Sequence, residues 1–376
     1  MPDQRADLVI VGLGAMGAAI AWQSARRGLT VTAFDAFEPP HTLGSTHGHS
    51  RIIREAYFEH PQYVPLVQRA YALWAALEAD AGTRLFQACG GLMVGRPGQV
   101  LVDGTLRAAA EHALPVQSWR AAEVRQRVPA LAPDDDMVGV FEPRAGVLAP
   151  ERAVGAMLEQ ARRAGARLLL SEPVRRWSVE PDRIDVSSDG RTVRTRRLVL
   201  AAGPWLPALL GDLRLPLTVE RVVQYWYPTT GDPRFTPAAF PVFLLESPDG
   251  RMLYGLPDQG HGLKLAEHHG GMPTTADTVN REVSRVERET FHAFASRWVR
   301  DLPAAPGQAA VCLYTNTPDS DFVLDWHPDA PGVFVCSACS GHGFKFAPAI
   351  GDAVASLVAT GTASEDLSPF GLARLT

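Results

Sequence analysis

Leu8-Val-Ile-Val-Gly-Leu-Gly-Ala-Met-Gly-Ala-Ala-Ile-Ala-Trp22 is the stretch that decides how this chain folds. Leu8 to Val11 are apolar and mostly β-branched, which predicts a short buried strand. Gly12, Gly14 and Gly17 follow as G-x-G-x-x-G, and small residues then open a helix. In such a unit the first glycine permits a tight turn and the second lets backbone approach a pyrophosphate. The third lets the helix pack closely on the strand. The helix N-terminus adds unpaired N–H groups and the positive end of its dipole. Gly28 ends the helix, Leu29 to Phe34 form a second strand, and Asp35 closes it. An acid at that place accepts hydrogen bonds from an adenosine ribose. A signal peptide is the rival reading, because Arg5 precedes an apolar run, but Asp3 and Asp7 spoil the basic flank. The unit predicts dinucleotide binding.

With 376 residues, the chain has room for one large two-lobed unit or two domains. A hydrophobic share of 46% and a charged share of 20% are those of a soluble globular enzyme. The net charge of −5 gives no basic excess for nucleic acid or an anionic membrane. No uninterrupted apolar run is long enough to span a bilayer, and no lipidation signature or repeat is present. Four cysteines in a chain of this length do not make a disulfide framework, so a cytoplasmic setting is expected. No cluster has the spacing of a metal site.

Downstream, Ala36 to Ser45 reads as a loop, followed by a cationic stretch from Thr46 to Tyr57. Tyr63, Leu66, Val67, Ala70, Leu73, Trp74 and Leu77 recur at helical spacing and predict one buried face. Residues 84–146 mix short apolar strands with a polar helix and suggest an inserted lobe. Pro150 opens a further helix that Gly165 ends, and Asp189-Gly190 signals a hairpin. Arg197 to Gly203 predicts a buried strand leaving through small residues, where the nucleotide unit resumes. Aromatic strand-like segments fill residues 216–311, with a charged amphipathic helix expected from Glu282 to Phe294. Gly332 to Cys336 is a strand, Ser340 to Phe346 a glycine loop, and Ala347 to Thr360 a last helix.

Pro39-Pro-His-Thr-Leu-Gly-Ser45, His47 with Arg51-Ile-Ile-Arg54, and Gly262-Leu-Lys-Leu265 with His268 stand in order behind the first glycine turn. Cys312-Leu-Tyr314 with Thr317-Pro-Asp319, Phe322-Val-Leu-Asp325 and Ser340-Gly-His-Gly-Phe-Lys345 complete the series. With these motifs the chain resembles, over nearly its full length, the flavin-dependent amine oxidases of the monomeric sarcosine oxidase and N-methyl-tryptophan oxidase family. The resemblance implies an α/β flavoprotein of two domains. A discontinuous Rossmann-type FAD-binding domain would take residues 1–88, 147–213 and 312–376, and a substrate domain on a mixed β-sheet would take 89–146 and 214–311. It also implies FAD attached through the thioether of a cysteine matching Cys312. Gly12, Gly14, Gly17, Asp35, Ser45, Arg51, Gly343 and Lys345 would lie along the cofactor. Arg54 and Lys345 would hold a substrate carboxylate, and Lys264 would stand near the reactive flavin nitrogen in oxygen activation. His268, Tyr254, Tyr314, Arg51 and His47 match further active-site residues, and a monomer is implied.

The residue types suit these roles. Arg54 offers a planar two-pronged fork to a carboxylate, and Lys345 adds a point charge. Arg51 and Arg54 could equally be structural arginines of a basic segment. Lys264 lies between Leu263 and Leu265, and alternation on a strand puts it on the face opposite both. Its plain alternative is an outward-facing lysine. Cys312 is singled out only by its Cys-Leu-Tyr setting. Cys336 and Cys339 form a lone C-x-x-C without the second half of a zinc site, and read as core filling.

The expected activity is oxidation of a secondary amino acid, most simply an N-methyl amino acid, to an imine that water hydrolyses, with dioxygen reduced to hydrogen peroxide. The partners are then a small amine and dioxygen. Alternatives are the same chemistry on a cyclic imino acid or sugar-modified amino acid, an NAD-dependent dehydrogenase, or a nucleotide-binding protein without turnover. Relative to the family pattern, His49 and Ser50 stand in Gly48-His-Ser-Arg51 where Gly-Asp-Thr-Arg is common, and Glu55 replaces a histidine. These departures fall beside Arg54 and bear on substrate choice.

Overall fold

The computed structural model describes residues 4–375; residues 1–3 and 376, the outer ends of the expected nucleotide-binding segments, lie outside the described residues. Among the latter, Leu8–Val11 lies inside a six-stranded sheet. The order is Arg167–Leu169, Val31–Phe34, Leu8–Val11, Arg197–Leu200, Val333–Ser337 and Val323–Trp326. All neighbours are parallel except the last pair. Leu8–Val11 is buried on both faces, which is why its sequence is continuously apolar rather than alternating.

The helix Ala15–Arg26 packs against Pro150–Arg163 and Ala347–Thr360, and Tyr63–Ala81 covers the same core. A Cβ on Gly351 would lie 2.7 Å from backbone of Ala19, so these two helices touch almost backbone to backbone. Gly82 and Gly361 close their helices in the left-handed conformation that glycine adopts without strain.

Two expected elements shift their bounds. The strand at Arg197 stops at Leu200, and Gly203–Leu209 is a 3-10 turn, because Pro204 and Pro207 have no N–H to continue a ladder. The charged helix begins at Arg285 rather than Glu282. Ser284 caps it, accepting from Glu287 N at 3.2 Å while Glu287 Oε2 accepts from Ser284 N at 2.8 Å. Cys339 lies past the end of Val333–Ser337, so the two cysteines do not share a strand.

The second sheet has nine strands among the described residues. Its long member, Thr218–Tyr227, pairs antiparallel with Leu263–His268 and Met272–Thr274 along one edge and with Gln308–Asn316 along the other. The expected boundary between residues 311 and 312 falls inside Gln308–Asn316, whose ladder is unbroken from end to end. The chain re-enters the smaller sheet only at Val323.

Register then sorts the side chains. Glu220 lies opposite Tyr314, Val222 opposite Cys312, Trp226 opposite Lys264, and Gln224 opposite both Ala266 and Ala310. In Met252–Leu256, Tyr254 lies opposite Ala266, and Met252 opposite His268. Residues directly opposite share a face and successive residues alternate. One face therefore carries Cys312, Tyr314, Gln224, Lys264, His268 and Tyr254. The other face buries Tyr225, Tyr227, Leu263 and Leu265, with Tyr225 stacked on Phe291 of the helix Arg285–Ser296 at 4.1 Å.

Gly17 sits with its absent Cβ only 1.8 Å from the carbonyl oxygen of Gly12, whereas Gly155 in Pro150–Arg163 has nothing within 4 Å. Gly17→Ala is expected to lower the melting temperature by forcing helix and turn apart. Gly155→Ala is expected to raise stability by about 0.5–1 kcal/mol, since only the helix-interior glycine penalty is removed. Denaturant unfolding of the two variants checks both signs.

Candidate active site

A cavity of about 700 Å³ lies between the glycine turn and the functional face of the larger sheet. Gly12, Gly14 and Asp35 line it from the smaller sheet, and Tyr254, Lys264, His268 and Tyr314 from the larger. Ser45, Arg51, Arg54, Gly343 and Lys345 contribute from the connecting segments. Gly17, His47 and Cys312 do not reach the wall. Gly17 is used for packing, and the other two lie just behind it.

The turn fits a dinucleotide. Helix Ala15–Arg26 has neither an acidic residue in its first turn nor a side-chain cap, so its leading N–H groups are not claimed by a side chain. A Cβ on Gly14 would meet only Thr46 Oγ1 at 3.8 Å, which leaves the space beside that backbone to the cavity. Asp35 does more than the sequence suggests. Its Oδ2 accepts from Leu13 N at 2.6 Å and its Oδ1 from Phe37 N at 2.8 Å. The carboxylate thus ties the glycine turn to the end of the second strand and lines the cavity, with His41 Nε2 3.9 Å from its Oδ1. Burial raises its pKa, and the two amide donors pull the other way.

Arg51 and Cys312 meet at the carbonyl of Ser45. Arg51 Nη2 donates to Ser45 O at 2.7 Å, and the Cys312 thiol points to the same oxygen at 3.4 Å, with Arg51 Nη2 3.9 Å from the sulfur. His47 is buried, its Nε2 has no partner, and burial together with Arg51 and Lys264 pushes its pKa down to about 3. It is neutral at pH 7. Lys264 is 2% exposed, which removes the reading of an ordinary outward lysine. Its Nζ donates to Gly48 O at 3.0 Å and Ser50 O at 2.9 Å and lies 5.5 Å from the Trp226 ring centroid. Burial, aided by Arg51, holds its pKa well below the usual lysine range.

Arg54 already holds a carboxylate. Its Nη2 donates to both oxygens of Glu59, at 2.9 and 2.6 Å, and its Nη1 to Ala56 O at 2.9 Å. The guanidinium also lies over the rings of Tyr57 and Phe58. Burial opposes the charge, but Glu59 more than offsets it and the arginine pKa is raised. Lys345 donates to Tyr57 Oη at 3.1 Å and His342 O at 2.7 Å. The Tyr57 hydroxyl lies 2.6 Å from His342 Nδ1, and His342 Nε2 lies 3.0 Å from Ser320 O. Since a carbonyl can only accept, the proton is on Nε2 and Tyr57 donates to Nδ1. Burial pushes the His342 pKa down to about 4, in keeping with that neutral tautomer. Lys345 has no carboxylate of its own, and burial beside Arg54 brings its pKa down to about 7.

His268 faces Tyr314 and Tyr254 at ring-centroid distances of 5.9 and 6.4 Å. Burial and the adjacent His269 hold it neutral. Burial pushes Tyr254 up to about 12.

His49 and Glu55 do not line the cavity. His49 stacks on His261 at 3.9 Å, and Glu55 pairs with Arg144 at 2.9 Å. Of the three departures only Ser50 stands on the cavity wall. Glu59, Gln224 and Glu151 escaped the sequence reading. Glu59 lies in an irregular segment where no periodic rule applies. Glu151 accepts from Gly48 N at 2.6 Å and His49 N at 3.0 Å, a contact between distant parts of the chain. Gln224 alone had a signal, a polar residue in the alternation Val222, Gln224, Trp226.

The FAD dependent oxidoreductase family model matches residues 7–357. The chain is 40% identical over 374 residues to a monomeric sarcosine oxidase of Streptomyces avermitilis, covering 98% of this chain and 97% of the relative. It is 36% identical over 372 residues to an N-methyl-L-tryptophan oxidase of Yersinia pestis, covering 98% and 99%. Among solved structures, NikD, an amino acid oxidase essential for nikkomycin biosynthesis, superposes with a TM-score of 0.86 at 24% identity, over 98% of this chain and 97% of NikD. Glycine oxidase from Geobacillus kaustophilus superposes with a TM-score of 0.80 at 23% identity, over 99% of each chain. These two likenesses concern the fold. No helix among the described residues is long and apolar enough to cross a membrane.

The depressed Lys345 pKa sets a pH dependence. Below about 7 the ammonium is charged and attracts an anion; above it the neutral amine does not. The dissociation constant of a simple carboxylate such as acetate is therefore expected to rise as pH passes upward through this value, with bound anion moving the midpoint higher. Lys345→Met should flatten the profile, read by ligand titration from pH 6 to 9. The stability sign is opposite to that of a favourable ion pair. The unfolded lysine binds more protons between about 7 and its ordinary value, so this group's penalty is present below that window and fades as pH rises through it.

Proposed function

The chain belongs to the FAD dependent oxidoreductase family, and we propose that it is an oxidase of secondary amino acids, with N-methyl amino acids as its substrates. The observation that carries this reading is a pair of buried cationic side chains, Arg54 and Lys345, on the wall of the same cavity that begins at the dinucleotide turn. A low-dielectric site with two such groups suits a small carboxylate. FAD bound here would take two electrons and a hydrogen from the C–H bond beside the substrate nitrogen and deliver the electrons to dioxygen. For an N-methyl substrate, amine, dioxygen and water give the demethylated amino acid, formaldehyde and hydrogen peroxide.

The residues act before and around that step. Arg54 exchanges the Glu59 carboxylate for that of the substrate, and Lys345 supplies the second contact. Cationic neighbours and burial lower the pKa of the substrate ammonium, favouring the neutral amine that can be oxidised. His268 and the two tyrosines position the amine. Lys264, held by two carbonyls, offers in its protonated form a positive charge where reduced oxygen develops negative charge. Cys312 is the covalent anchor of the flavin, with Arg51 Nη2 3.9 Å from its sulfur.

The FAD-binding domain takes 1–88, 147–213 and the chain beyond Asn316, and the substrate domain takes 89–146 and 214–316. The unpaired state of all four cysteines supports a cytoplasmic protein, proposed as a monomer.

Acid precipitation of the purified protein tests the cofactor. Yellow colour is expected in the pellet and, for Cys312→Ser, in the supernatant. Wild-type colour released to the supernatant would remove the cysteine assignment. Anaerobic mixing with a panel of N-methyl, cyclic and unmodified amino acids then tests the substrate, with fastest flavin bleaching expected for an N-methyl compound. Lys264→Met is expected to slow flavin reoxidation at least tenfold while leaving reduction nearly unchanged. Equal slowing of both would sink its assigned role.

A further inference from the structure

Gln224 is a buried amide that the reading above leaves unused. It stands on the cavity side of Thr218–Tyr227 and lines the cavity at 2% exposure, yet its Oε1 has no hydrogen-bond partner. Native structures rarely leave such an acceptor dry, because it then forfeits its hydration for nothing. Lys264 shares the same sheet face, displaced by two residues across the ladder. A Cβ on Gly48 would lie 2.1 Å from Gln224 Oε1 and 3.3 Å from Lys264 Nζ, so both polar heads stand beside the Gly48 backbone and within the span of one bridging water. An ammonium has three N–H groups. Two of them go to Gly48 O and Ser50 O, leaving a third. The result is an unused donor and an unused acceptor, close enough for a single water to bridge.

We propose that Gln224 and Lys264 together bind one small molecule that both accepts and donates hydrogen bonds: water in the resting protein, and hydrogen peroxide as it forms during turnover. The second occupant rests on the oxidase reading; the first does not. The ammonium N–H donates to the guest oxygen, and the amide oxygen accepts the guest O–H. Dioxygen has no O–H and satisfies only the lysine. Dioxygen gains two electrons and two protons to become hydrogen peroxide, so the contact to Gln224 forms only as reduction proceeds, favouring product-like states over the incoming gas. Gln224 is thereby a residue of the oxygen half-reaction.

Gln224→Met keeps the length of the side chain and removes the acceptor. A high-resolution crystal structure of the purified protein is expected to show ordered solvent within hydrogen-bonding distance of both Lys264 Nζ and Gln224 Oε1, absent in the variant. Melting temperature gives a second reading. An amide satisfied by water makes the variant no more stable than wild type, whereas an orphaned amide makes it more stable. Flavin reduced with dithionite, without any amine, and then mixed with oxygen is expected to reoxidise about fivefold more slowly in the variant, the worth of one hydrogen bond. Flavin reduction by substrate should change less than twofold. Absence of the solvent peak, a stabilised variant, or unchanged reoxidation would each overturn the proposal. Because dithionite replaces the substrate, a protein that oxidises no amine but still depends on Gln224 for reoxidation would refute the substrate reading and leave this site standing.

Discussion

Two backbones meet at Gly12 with no room for a side chain, and the rest of the molecule is built outward from that contact. A Cβ there would lie 2.6 Å from Ala201 O and 2.7 Å from Ala202 Cα. The parallel register of Leu8–Val11 with Arg197–Leu200 brings them together, and Ala201 N donates to Val11 O at 2.8 Å. Asp35 adds the neighbouring strand end through Leu13 N. Three strand exits are thereby fixed at one edge, the place where open α/β sheets bind their ligands. Gly12, Ala201 and Ala202 all line the cavity, so any widening at Gly12 would disturb its wall.

Three cationic side chains on the cavity wall are buried away from water, and each is compensated differently. Arg54 has the Glu59 carboxylate, and its charge is secure. Lys264 has two backbone carbonyls, and Lys345 has one carbonyl and a tyrosine hydroxyl. Dipoles repay less of the desolvation penalty than a full opposite charge, so both lysine pKa values fall. The same low dielectric that strains these groups strengthens their attraction for an incoming anion or a developing negative charge. Placing Lys264 on a strand paired on both sides gives that charge a rigid seat, whereas the Arg54 segment is irregular and held by side chains.

Local signals were legible where local physics fixes the outcome. The glycine turn, the apolar run of Leu8–Val11, the helical periodicity of Tyr63 to Leu77 and the placement of Lys264 opposite Leu263 and Leu265 all follow from sequence spacing. The charged helix starts at Arg285 rather than Glu282 because the cap pattern from Ser284 to Glu287, present in the sequence, sets a boundary that amphipathicity alone leaves open. The boundary at residue 311 cut a strand because nothing local marks which sheet an apolar run will join. Glu59 was invisible as a partner of Arg54, since no regular element relates the two.

By itself, then, the sequence determined the dinucleotide turn, the α/β class and, through motifs in a fixed order, the likeness that points to flavin chemistry. These rest on short-range geometry: the need for glycine at a crowded turn, and the periods of strand and helix. Only the tertiary structure decided that Cys312 stands behind the cavity wall, that Arg54 already grips an internal carboxylate, and that His49 and Glu55 lie off the wall. It alone brought Gln224 beside Lys264. Each of these depends on strand register or on contacts between distant segments, and such distances do not exist until the chain has closed on itself.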